Sequence, residues 1–234
     1  MRTTRNSASG KMLLVGVFVA LLAIVVTVVA VTDTSSPDEG DVAIGKAAPA
    51  RTTSEVPVLG KGKILPADRW PSACELVGRT DVEAILPEAE EIEQESRLVG
   101  VKSIGEFAAD PEWSQGARAE AGQCLYGMRL PGETYQATQL WVRVHAVADP
   151  DLIRRYYEGQ LLGVTGTNQS ARGADACALT GLREGNWICR KGSVLFSVGG
   201  QTTVAFKGKP APAPFVWRDD VNPLIVETVA AKIR

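Results

Sequence analysis

Four cysteines, Cys74, Cys124, Cys177 and Cys189, are the residues of this chain best suited to covalent chemistry. Structural zinc sites place ligands about two to four residues apart, and no cysteine pair here has that spacing. No C-x-x-C pair is present either, so a redox dithiol has no sequence basis. What remains is cross-linking. An even number of cysteines in an exported domain reads as disulfides. Of the three pairings allowed, Cys177–Cys189 is favoured because both residues fall on neighbouring strands of a predicted meander. Cys74 then pairs with Cys124 and staples the first helix to the sheet.

The only histidine is His145. It lies on the polar side of a predicted strand with Trp141 and Arg143, opposite Leu140, Val142 and Val144. No serine or cysteine stands in a nucleophile-elbow context. The three residues Trp141, Arg143 and His145 are therefore read as candidate ligand-facing groups rather than as a catalytic set, and no catalytic residue is assigned. The glutamates from Glu88 to Glu95 lack the spacing and glycine of a calcium loop. They read as a solvated turn leading into a strand, with no metal assigned. Gly60-Lys61-Gly62-Lys63 lacks the Ser/Thr of a phosphate loop, and nothing calls for a cofactor.

The segments that must carry these groups begin with Met12–Val31, an uncharged run free of proline. About 20 apolar residues in a helix span roughly 30 Å, the thickness of a bilayer core. Arg2, Arg5 and Lys11 precede the run, and Asp33, Asp38, Glu39 and Asp41 follow it. That asymmetry places the N-terminus in the cytoplasm and the remainder outside. A cleaved signal is the competing reading, but the run exceeds the usual apolar core of about 7–15 residues. The expected organisation is a cytoplasmic tail at 1–11, a transmembrane anchor at 12–31, a flexible linker at 32–69 and an extracytoplasmic domain at 70–234. The recurring prolines of the linker make it a tether. Its stretch Val56–Leu65 is more apolar and is expected to lie against the domain.

Within the domain, Ser72–Val77 reads as one helical turn. Thr80 and Glu83 form an expected capping box for a helix ending at Leu86 before Pro87. Arg97–Phe107 reads as an interrupted strand and Ala109–Ala121 as a loop. Gln123–Leu130 and Gln136–Val147 form a hairpin around Pro131-Gly132. Asp149 and Pro150 are the expected N-cap and first residue of a helix that buries Leu152, Ile153, Tyr156, Tyr157 and Leu161. Strands are expected at Cys177–Leu182, Asn186–Arg190 and Ser193–Val198, with an edge strand at Gln201–Phe206. An exposed Lys207–Pro214 loop leads to a helix at Val221–Ile233. The sum is an α+β fold, an antiparallel sheet packed by helices. The net charge of −2 excludes a basic nucleic-acid surface.

Ser72-Ala73-Cys74-Glu75-Leu76 with Thr80–Leu86, then Cys124-Leu125-Tyr126, resembles the opening of an actinobacterial exported lipoprotein-like domain of unknown function. Asn186-Trp187-Ile188-Cys189-Arg190, followed by Val194–Val198 and the last helix, resembles the extracellular sensor domain of mycobacterial membrane Ser/Thr kinases. The resemblance implies a PsbP-like α+β domain with two disulfides that binds a ligand without catalysis. The function expected is that of a single-pass anchored extracytoplasmic domain binding a small apolar ligand or an envelope protein. The alternatives are a structural component of an envelope complex and an exported hydrolase with an unrecognised site.

Overall fold

A computed structural model of the chain describes residues 42–49, 52–101, 117–161, 168–169, 172–180 and 185–234. The expected tail and membrane anchor, 1–31, lie outside the described residues. Among the described residues no helix is long and apolar enough to cross a membrane.

A seven-strand sheet forms the centre, with spatial order β1-β2-β3-β7-β6-β5-β4. The strands are β1 (Glu90–Gly100), β2 (Arg118–Arg129), β3 (Thr138–Val147), β4 (Asn168–Gln169), β5 (Ala176–Thr180), β6 (Asn186–Lys191) and β7 (Val194–Gln201). Every neighbouring pair is antiparallel. Two meanders, β1-β2-β3 and β4-β5-β6-β7, are thus joined along the β3–β7 seam. The α+β class expected from the sequence is the one observed.

Alternation decides what each face does. Cys124, Tyr126 and Met128 of β2, Leu140, Val142 and Val144 of β3, and Phe196 and Val198 of β7 are all fully buried on the inner face. Against them pack α1 (Ala73–Leu76), α2 (Arg79–Ile85) and a C-terminal helical run made of α4 (Ala213–Val216), a π-turn (Trp217–Val221) and α5 (Asn222–Lys232). Among the described residues α3 (Pro150–Gln160) is the one helix on the outer face, where its Leu152, Ile153, Tyr156 and Tyr157 cover Ala146, Ala178, Ile188 and Leu195. Eleven residues of helix reach roughly 16 Å. Seven strands make a sheet roughly 30 Å wide. Among the described residues this one helix therefore leaves much of the outer face uncovered.

Both disulfides form as paired from the sequence, Cys74–Cys124 and Cys177–Cys189. The second joins residues directly opposite each other on β5 and β6. The first ties α1 to the inner face of β2.

Several expectations are corrected. The cap of α2 sits two residues earlier than expected: Gly78 is the N-cap, and its N–H donates to Asp81 Oδ2 at 2.7 Å. The reason is that Asp81 at N3 reaches back, whereas Glu83 is exposed. The glutamates Glu90, Glu91, Glu93 and Glu95 belong to β1 itself rather than to a turn before it. Arg129 of the neighbouring strand pairs with Glu90 and Glu91 at 2.7 and 2.9 Å. Charge along this outermost strand discourages edge pairing with another chain. β2 begins at Arg118, inside the expected loop, and residues 102–116 lie outside the described residues. Gln201–Phe206 adds no further strand after β7; only Phe206 bridges, to Val42. The final helical run starts at Ala213, eight residues early, because Pro212 and Pro214 occupy its first turn, where proline needs no partner for its missing N–H.

Residues 42–49 and 52–55 of the expected tether are laced onto the body, as is the more apolar stretch that follows them. Val42, Ile64 and Leu65 are buried, and isolated bridges run from Val42 to Phe206, Ser54 to Ile233 and Ile64 to Ala148. Gly45 and Lys46 donate to the terminal carbonyls of α2, Ile85 and Ala84, at 2.8 and 3.1 Å. This satisfies orphan acceptors that a helix end always leaves. Asp149 precedes α3 as expected, but its carboxylate does not cap that helix. It accepts from Gly62 N–H at 2.9 Å and so holds the 60–63 turn.

Candidate functional site

Beside α3, the described residues of the outer face line a cleft of about 710 Å³. Cross-strand register builds it. One row runs Arg97, Gln123, Arg143, Ser197 and Ile188 across β1, β2, β3, β7 and β6. The next row places Leu125, Trp141 and Gly199 side by side. Because side chains alternate along each strand, members of both rows project to the same face. All these residues except Gly199 line the cleft, joined by Gln139, His145, Thr180, Asn186 and by Gln160 at the end of α3. The three residues singled out from the sequence, Trp141, Arg143 and His145, are all brought together there.

Trp141 is seated by a missing side chain. A Cβ at Gly199 would lie 2.6 Å from both Cε2 and Nε1 of the indole, and would overlap Asn186 Oδ1. Only glycine lets the ring lie across β7. The adjacent Gly200 does the same on the inner face, where a Cβ would overlap Trp217 Nε1.

Arg143 is half-buried, and its Nε is enclosed without a hydrogen-bond partner. Among the described residues no carboxylate stands within ion-pair reach of it. The Oδ1 of Asn186 is likewise enclosed and unpartnered. Arg97 pairs with Glu95 at 2.7 Å on the open surface. No aspartate or glutamate is among the described residues lining the cleft, so its charge is positive. Tyr156 of α3 feels two opposing influences: burial raises its pKa and the nearby Arg143 cation lowers it, with burial dominant. Tyr157 behaves alike, raised by burial and countered by Arg190, whose guanidinium carbon lies 6.0 Å from the ring centroid.

His145 occupies an irregularity in the β3–β7 pairing: Val144 faces Phe196 and Ala146 faces Leu195. Bulges of this kind re-aim side chains beside sites. Here the imidazole Nε2 meets Ser197 Oγ at 2.8 Å. That is nucleophile-to-base distance. Ser197 lies mid-strand, however, paired with Arg143 on one side and Ile188 on the other, so its neighbouring backbone N–H groups serve the ladders rather than an oxyanion.

Among the described residues no group of His, Cys, Asp or Glu is gathered to hold a metal ion. Sequence reading missed Arg97, Gln123, Ser197 and Asn186, because each joins the site only through register with distant strands. The Gly199-Gly200 pair was the available signal: two glycines in mid-strand mark close approach by another group.

No protein-family model, no curated protein and no solved structure matches this chain.

Proposed function

We propose that the chain is an exported, membrane-anchored domain that holds a ligand in the outer-face cleft without turning it over. The observation that carries this reading is the cleft itself: two register rows set a seated indole, an arginine with an enclosed and unpartnered Nε and several amides on a sheet face that α3 does not cover. Sites of roughly 300–1,000 Å³ with a few placed polar groups suit small molecules. The two disulfides fit an oxidising compartment outside the cytoplasm. In this proposal the apolar run at 12–31 is the anchor, with the basic flank inside. The body is then a PsbP-like ligand-binding domain, as the resemblance implies. The polar lining favours a hydrophilic ligand over the small apolar one expected from Trp141 alone.

The Ser197–His145 contact favours the exported hydrolase as the second reading. One experiment separates the two. The full chain in lipid nanodiscs is incubated with the small-molecule fraction of a cell-envelope extract and weighed by native mass spectrometry. The binding reading expects an added mass on the wild type, stable with time and absent from Ser197→Trp, which fills the cleft. An added mass that persists on Ser197→Trp removes the cleft from the argument. A bound molecule that is cleaved by the wild type but not by His145→Ala establishes the hydrolase instead.

A further inference from the structure

We propose that the cleft takes a short acidic saccharide, its ring face against Trp141 and its carboxylate or phosphate on Arg143. The proposal rests on the binding reading above and adds the class of ligand.

Three observations carry it. The first is charge. Arg143 has an enclosed Nε without a partner, and the described lining supplies no carboxylate. Withdrawing part of a guanidinium from water is costly unless an anion replaces the water. A planar fork of donors matches a carboxylate or phosphate oxygen pair, which is how such a group would be held. The second is the platform. The indole of Trp141 is fixed across Gly199, where no side chain larger than hydrogen fits. A ring immobilised in this way presents apolar area at little entropic cost. The C–H face of a pyranose is flat and apolar and suits it. The third is the set of groups around the platform. Gln123 and Gln139 supply both donors and acceptors, and Ser197 and Thr180 can act as either. Asn186 adds an unpartnered carbonyl oxygen. A saccharide offers hydroxyls that donate and accept in turn, so one ring can satisfy mixed groups spread over two register rows. A purely apolar ligand would leave Gln123, Gln139 and the Asn186 oxygen unpaired, at a cost of about 1–3 kcal/mol each.

The test is calorimetric titration of the full chain in nanodiscs with four probes: digalacturonate, glucose 1-phosphate, lactose and AMP. Digalacturonate or glucose 1-phosphate is expected to bind with Kd between about 10 µM and 1 mM. Whichever of the two binds tighter identifies carboxylate or phosphate as the anion. Lactose, which lacks the charge, should bind about 10–100-fold more weakly, the factor for one charge-assisted hydrogen bond. Arg143→Gln should erase the difference between acidic and neutral sugars, and Trp141→Leu should weaken all saccharides. Circular dichroism melts of both variants check that each is folded, and Arg143→Gln alone is decisive if Trp141→Leu is not. Equal binding of lactose and the acidic probes, or tighter binding of AMP than of any saccharide, overturns the acidic-saccharide assignment and leaves the cleft as a binding site. Silence from every probe overturns it as well. An added mass from the envelope extract that is sensitive to Ser197→Trp keeps the broader reading alive in that case, and its absence ends both.

Discussion

Removing the ammonium of Lys232 should strand a buried carboxylate and loosen the join between the C-terminal helix and α2. Lys232 ends α5 and pairs with Asp81 of α2, and each side chain is only 6% exposed. Its Nζ also donates to the Glu75 carbonyl at 3.3 Å. The same Asp81 oxygen accepts from Gly78 N–H, so one carboxylate caps α2 and receives the C-terminal helix. Tyr126 lies close by: its hydroxyl donates to the Val77 carbonyl, and the negative charge of Asp81 adds to burial in raising its pKa. Lys232→Met fills similar volume but leaves Asp81 without its counter-ion. Breaking one side of a buried pair costs about 3–5 kcal/mol. With a urea slope of about 2 kcal/mol/M, the unfolding midpoint should fall by about 1.5–2.5 M. Asp81→Asn keeps an acceptor for the cap but strands the ammonium. The double variant Asp81→Asn/Lys232→Met should therefore lose less than the sum of the two single losses, with a coupling of about 1–3 kcal/mol. Measured with both disulfides intact, a loss under about 1 kcal/mol for Lys232→Met, or strict additivity in the cycle, would show that the pair is solvated and the reasoning wrong.

Gly199→Ala should displace Trp141, because the new methyl would sit 2.6 Å from the indole. Overpacking of this kind costs about 1–3 kcal/mol, read as a lower midpoint together with a shifted tryptophan emission. An unchanged spectrum counts against the seated platform. The loop-entropy model assigns about 4 kcal/mol to Cys74–Cys124 and about 3 to Cys177–Cys189, from separations of 50 and 12 residues. Paired Cys→Ala variants should rank in that order on chemical unfolding, and the reverse order would locate the effect in native packing. Asp149→Ala frees the Gly62 N–H and should speed proteolysis near 60–63 severalfold while leaving the melt of the sheet almost unchanged. Spectrophotometric titration should find Tyr126, Tyr156 and Tyr157 ionising above the ordinary value of about 10, since burial disfavours their charged forms. The folded state then holds more protons than the unfolded one above that pH. The stabilisation is complete below pH about 10 and is lost as pH rises towards the folded values. Stability that grew with alkali would contradict the burial.

The parts of this architecture that repeat with period two or sit at caps were legible in the sequence. Leu140, Val142 and Val144 against Trp141, Arg143 and His145 announced which face of β3 is wet. The Cys177–Cys189 pair followed from predicted strand adjacency, and Cys74–Cys124 was the pair that remained. What stayed hidden was whatever depends on distant partners. Gly78 displaced Thr80 as the cap because Asp81 is drawn inward to Lys232, a residue 151 positions away. The glutamates of β1 read as a turn because edge strands carry charge that a buried strand would not. Val42 looked like linker because the alternation around it is too short to register, although it is buried against the body. Ser197 was one serine among many until the register set it opposite Arg143.

Between Gly199 and Gly200 the sheet is reduced to bare backbone, with one indole resting on each side. Trp141 belongs to the solvent-facing cleft and Trp217 to the innermost packing, so a single peptide unit separates the cleft floor from the interior. A molecule pressing on the outer ring pushes on the hydrophobic centre with no side chain in between to cushion it. The C-terminal helical run that carries Trp217 thereby meets the floor of the cleft across bare backbone.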